Sequence, residues 1–210
     1  MKIQPSELEK HGYTLQDRLE HHELVSFVQT WLKKRTVYAL LYIGFNVLAL
    51  LLLSGAVGYH AAKSDLSFGD GFGYFSYGVL IAFLLVPVHE YIHVLAYRSQ
   101  GAANTSYDVN WKKLYFMAVA DQFVANRREF QMVALAPFAV ISTALFIVFL
   151  LVNPLWQLAV LGTFFTHTAC CGGDFSLLSY FHFHKDREVV TYDDAAGKVS
   201  YFFVKKEVVG

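Results

Sequence analysis

Residues 74–97 read YFSYGVLIAFLLVPVHEYIHVLAY: an apolar run that carries His89-Glu90-Tyr91-Ile92-His93 near its end. The run is long enough to cross a bilayer, which takes roughly 20 apolar residues in a helix. On a helix His89 and His93 lie one turn apart and project from one face, so both can bind one zinc ion. Glu90 stands beside them, where a carboxylate can take a proton from a zinc-activated water. Ionisable side chains inside a span are costly and mark functional sites by default. The bland alternative is a polar helix end with two satisfied histidines.

The rest of the chain agrees with a membrane setting. Of 210 residues, 55% are hydrophobic and 16% charged, against about a quarter charged in a soluble domain. Net charge is zero, so no polyanion partner is implied and nucleic-acid binding is not expected. The two cysteines, Cys170 and Cys171, are adjacent and make no disulfide framework. The first 35 residues are polar and charged, so the first span is expected to act as its own insertion signal.

Four apolar windows stand out, at about 37–57, 74–97, 130–152 and 155–181. The last two are joined only by Asn153-Pro154, a tight turn that makes them antiparallel neighbours. Lys and Arg number six before the first window, five over 98–128 and five in the tail. Lys63 alone lies between the first two windows. The bias puts both termini in the cytoplasm, with the chain multi-pass in a membrane of the bacterial cytoplasmic type. At 1.5 Å per residue His89 is about 22 Å along span two and Asp174 about 28 Å along span four, both toward the inner face.

A catalytic zinc keeps three protein ligands and an open position. Asp174 is the one carboxylate in the heart of span four, preceded by Gly172-Gly173, which would let another helix approach closely. It is either the third ligand, the favoured reading, or a helix cap at a Gly-Gly-Asp break. His167, seven residues earlier, is read as an oxyanion donor or outer-shell partner, ahead of direct ligation. Cys171 ranks below Asp174 as a ligand. His182 and His184 are expected at the membrane interface.

Outside the spans, residues 6–34 read as an amphipathic helix, with a Ser6/Glu9 capping box and a stripe of Leu8, Leu15, Leu19, Phe27 and Trp31. Residues 107–111 and 114–119 read as strands around Lys112-Lys113, a hairpin whose edge could take an extended substrate. Asn126 and Glu129 are placed to cap span three, which contains Pro137. Residues 188–192 and 199–204 form a second hairpin with its turn at 193–197, expected to pair with the first. The expected organisation is an all-α membrane fold of four spans. A cytoplasmic amphipathic helix takes up 1–36 and the four-span metal domain 37–183, with a hairpin loop at about 99–129. The tail hairpin, 184–210, completes it.

Three elements in order resemble a known family: His89-Glu90-Tyr91-Ile92-His93, then Ala134-Leu135-Ala136-Pro137-Phe138, then Gly173-Asp174 with a short charged tail. Over roughly residue 74 to the end the chain resembles the putative zincin peptidase family of small multispan proteins, related to the site-2 intramembrane metallopeptidases. The resemblance implies His89, His93 and Asp174 as zinc ligands and Glu90 as catalytic acid and base. It also implies a membrane-associated peptide or protein substrate. Site-2 proteases carry Asp-Gly with an upstream Asn and Pro; here Phe175 follows the acid, and Thr166 and His167 stand near the Asn position. Two rivals are a non-catalytic zinc-binding scaffold, closed by Cys171 or His167, and a di-iron desaturase or hydroxylase. The second needs further histidine boxes, and His21-His22 is far from any span.

Overall fold

The computed structural model describes residues 3–63, 67–110, 112 and 115–206. The chain is mostly helical and divides into two compact units. The first comprises Met1–Ala39, Glu90–Pro137 and Gly173–Gly210; the second comprises Leu40–His89 and Phe138–Gly172.

The first unit carries a four-stranded antiparallel sheet in the order β1-β6-β5-β4. The strands are β1 (Tyr13–Glu20), β4 (Ala125–Asn126), β5 (Val189–Asp194) and β6 (Val199–Lys205). A separate hairpin joins β2 (Thr105–Asn110) to β3 (Tyr115–Ala120). Both expected hairpins therefore form, but the tail hairpin pairs with β1 and β4 and not with β2 or β3. Trp111, Lys113 and Leu114, which the sequence reading put in and around the first hairpin's turn, lie outside the described residues.

The expected helix over 6–34 is corrected. Residues 13–20 are strand β1, and only α1 (Leu24–Leu32) is α-helical there. Gly12 explains the break: its φ of +82° is a left-handed turn that an α-helix cannot accommodate. Tyr13 and Leu19 are buried from strand β1 and Leu8 from the turn before it, while Leu15 is exposed, so no helix stripe forms. The capping box in this region is formed by Gln4 and Glu7, not Ser6 and Glu9. Phe27 and Trp31 do act as an i, i+4 pair, packed on Tyr180 of helix α7 (Gly172–Phe183). Around them Phe130, Phe181, Phe202 and Val204 make one aromatic-rich core. Large rings bury much apolar area, which makes this cluster the main packing anchor of the first unit.

Among the described residues, three helical runs are long and apolar enough to cross a membrane: Val37–Ala62, Gly69–Ser99 and Arg127–Leu151. The first is α2 and the third α5. The second joins α3 (Phe68–Leu84) to α4 (Val86–Ser99) through Leu85; Pro87, which has no N–H to give, sits just after the junction. α2 exposes Leu40, Ile43, Val47, Leu48, Leu50, Leu51 and Leu52, an outward apolar surface suited to lipid. α5 begins with a reciprocal box: Asn126 Oδ1 accepts from the Glu129 N–H, and Glu129 Oε2 accepts from the Asn126 N–H, both at 3.0 Å. Pro137 lies inside it.

The fourth apolar window is not one helix. It is divided into α6 (Pro154–Cys170), capped by Asn153, and α7, with the break at Cys171. The straight-line depth of 28 Å for Asp174 therefore does not apply. Nor does Gly173 seat a neighbouring helix, since a Cβ there would meet nothing within 4 Å. The close helix approach is at Gly78 of α3, where a Cβ would lie 2.4 Å from the Ala159 carbonyl oxygen of α6.

Candidate metal and catalytic site

α4 is an inverted amphipathic helix. Val88, Tyr91 and Leu95 face outward, while His89, Glu90, His93, Val94 and Tyr97 form the buried stripe. The period is helical, but polar groups point in and apolar groups out, as a lipid surround requires. His89, Glu90 and His93 are each 7–8% exposed, and each offers a ligand atom within 4.8 Å of the others'.

Each of the three side chains is held by a specific partner. His93 Nδ1 lies 3.0 Å from the Val133 carbonyl oxygen of α5. A carbonyl only accepts, so Nδ1 carries the proton and Nε2 is the nitrogen that faces the site. That Nε2 lies 3.1 Å from Asp174 Oδ1. Asp174 occupies the first turn of α7, where the exposed N–H groups favour a carboxylate. Glu90 Oε2 accepts the Ala118 N–H of β3 at 2.7 Å.

The second unit holds a related set. His89 Nδ1 is 3.2 Å from His167 Nε2, and His167 Nε2 is 3.8 Å from Cys171 Sγ. The His167 ring stacks on Phe138, inclined by 11°. All three donors are buried and within 4.8 Å of one another.

The His93–Asp174 spacing is compatible with a zinc ion. Two ligands bonded at about 2.0–2.1 Å at the tetrahedral angle are about 3.3 Å apart, and His93 Nε2 and Asp174 Oδ1 match that edge. The Val133 carbonyl holds His93 through Nδ1, the kind of outer contact that fixes the tautomer and ring orientation of a metal-binding histidine.

Of the residues singled out in the sequence, Asp174 lies beside His93 and His167 beside His89. His182 packs edge-on to Tyr38, and His184 bonds the Tyr180 carbonyl. Two participants escaped it, the Ala118 N–H and the Val133 carbonyl. Both are backbone groups, identical at every residue, so no motif could announce them.

The family described as putative zincin peptidase matches residues 82–188. The chain belongs to that family. Its matched region takes in α4, the β2–β3 hairpin, α5, α6 and α7, and so every residue of the two donor sets. No curated protein and no solved structure matches the chain.

Proposed function

We propose that this zincin-family chain is an intramembrane zinc metallopeptidase that hydrolyses peptide bonds in membrane-associated substrates. The observation that carries the reading is the His93 Nε2–Asp174 Oδ1 approach of 3.1 Å beside Glu90, inside a run long enough to span a bilayer. Ionisable groups in such a place are expensive, and a shared divalent ion offsets that cost.

His89, His93 and Asp174 hold the metal in this scheme, and a zinc ion there supplies Lewis acidity to a water and to the scissile carbonyl. Glu90 accepts the proton at its carboxylate and returns it to the leaving amine. The Ala118 N–H steadies that carboxylate in one orientation. His167 holds the ring of His89, a role its 3.2 Å contact supports better than that of an oxyanion donor. The β2–β3 hairpin, bonded to Glu90 through Ala118, offers its edge to an extended substrate.

In the membrane the reading is four crossings, α6 and α7 making the fourth as a broken pair, with both termini cytoplasmic by the Lys/Arg bias. Such breaks occur inside membranes where the backbone is buried in protein or lines a cavity. The non-catalytic zinc scaffold is the second reading, and the His89–His167–Cys171 set is what favours it.

The test compares newly formed protein termini in cells carrying the chain with those in cells carrying Glu90→Gln. Cleavages in membrane-associated proteins should appear with the first and vanish with the second. Identical patterns would defeat the peptidase reading.

A further inference from the structure

We propose that His89, His167 and Cys171 form a second metal site, selective for a thiophilic d10 cation such as Zn2+. The site is distinct from the His93–Asp174 set and shares only His89 with it. All three donors belong to the second unit, so the proposal needs no contact with Glu90, His93 or Asp174. It would stand even if the peptidase reading failed.

The spacing is that of a coordination polyhedron. The 3.2 Å between His89 Nδ1 and His167 Nε2 is close to the about 3.3 Å edge of two tetrahedral nitrogen ligands. With a Zn–S bond of about 2.3 Å, a nitrogen–sulfur edge comes to about 3.6 Å, and the observed separation is 3.8 Å. A small closure completes the triad. An imidazole presents its two nitrogens in divergent directions, so His89 can face His93 with Nε2 and His167 with Nδ1.

The local sequence supplies the donors. His167 and Cys171 are four residues apart at the end of α6, one helical turn on one face. Cys171, the first residue beyond α6, is fully buried, whereas its neighbour Cys170 is exposed. Two imidazoles and a thiolate are a borderline-to-soft set, which prefers zinc or copper(I) over magnesium or calcium. On binding, Cys171 gives its thiol proton to buffer and the proton between His89 and His167 leaves that contact, moving to the outer nitrogen of its own ring or, where His89 Nε2 also holds a metal, passing to buffer with His89 as a bridging imidazolate. The metal then takes the place of a hydrogen bond that already holds the two rings.

The full chain in detergent, stripped by chelation, can be titrated with Co2+ and read by its thiolate-to-cobalt charge-transfer absorption and by bound equivalents. Wild type should show the band and bind two equivalents. Cys171→Ala should lose the band and one equivalent; Cys170→Ala should lose neither. Asp174→Ala should lose one equivalent and keep the band. The absence of a band in wild type, which needs no variant to fold, would overturn the proposal. So would a band that follows Cys170. A single equivalent lost together with the band in Asp174→Ala would also overturn it, because the thiolate would then close one four-ligand ion. One equivalent with a band that Asp174→Ala leaves untouched would support this site and instead sink the metal assignment at His93 and Asp174.

Discussion

Two histidine–aspartate pairs in the first unit look alike and sit among different neighbours. His93 Nε2 meets Asp174 Oδ1 at 3.1 Å, and His21 Nδ1 meets Asp108 Oδ2 at 2.8 Å. Asp108 is also bonded by Lys198 Nζ at 2.6 Å and by the Tyr115 hydroxyl at 3.1 Å. Its charge is answered from within the chain, and the cluster ties β2, β3 and the tail hairpin to the turn after β1. Asp174 instead meets His93, whose own helix brings Glu90 and His89 within ligand distance of it. A His–Asp contact alone therefore says little about chemistry. The groups around it decide.

The comparison breaks if the second pair proves catalytic or the first proves structural. The largest expected effect is on turnover. Glu90→Gln should cut peptide hydrolysis by about 10²–10⁴-fold, the usual worth of a positioned acid–base, while zinc content stays unchanged. Asp108→Ala should leave the specific activity of folded protein intact.

Metal content comes next. Asp174→Ala or His93→Ala should lose one equivalent of zinc that Asp108→Ala retains, as read by elemental analysis of the purified chain. Equal zinc in all three would make the two pairs equivalent. Stability then sorts them the other way. Asp108→Ala strands buried His21 without its acceptor and should cost about 1–3 kcal/mol in denaturant unfolding.

The smallest effect is on pH dependence. Burial works to raise the Asp108 carboxyl, but hydrogen bonds from Lys198, His21 and Tyr115 outweigh it and hold the group below its ordinary value. A depressed folded value means the unfolded chain binds the proton more readily. The stabilisation is thus complete above about pH 4, the unfolded aspartate range, and is lost as pH falls through the folded value. The stability gap between wild type and Asp108→Asn should narrow below pH 4 and stay flat from pH 5 to 7.

What the sequence could reveal followed from how local each signal was. The i, i+4 histidines and their glutamate are decided within one helical turn, and a lone acid in an apolar stretch needs no neighbour to be conspicuous. The Asn126/Glu129 box is equally local. Strand β1 was not legible, because its partner β6 is nearly the whole chain away in sequence. Gly12 was the one local warning that a helix over 6–34 must break. The break at Cys171 was hidden by continuous apolar composition. Gly172-Gly173 marked it but read as a close-packing device, while the close packing is at Gly78 and Gly162. The His21–Asp108–Lys198 cluster joins three segments remote in sequence, which no pattern along the chain could connect.

An anomalous-scattering map of the zinc-saturated protein, recorded at the zinc edge, tests the central claim most directly. The account predicts a peak within about 2.0–2.2 Å of both His93 Nε2 and an Asp174 carboxylate oxygen. A saturated protein in which those two atoms still touch each other, with the metal elsewhere, would contradict it.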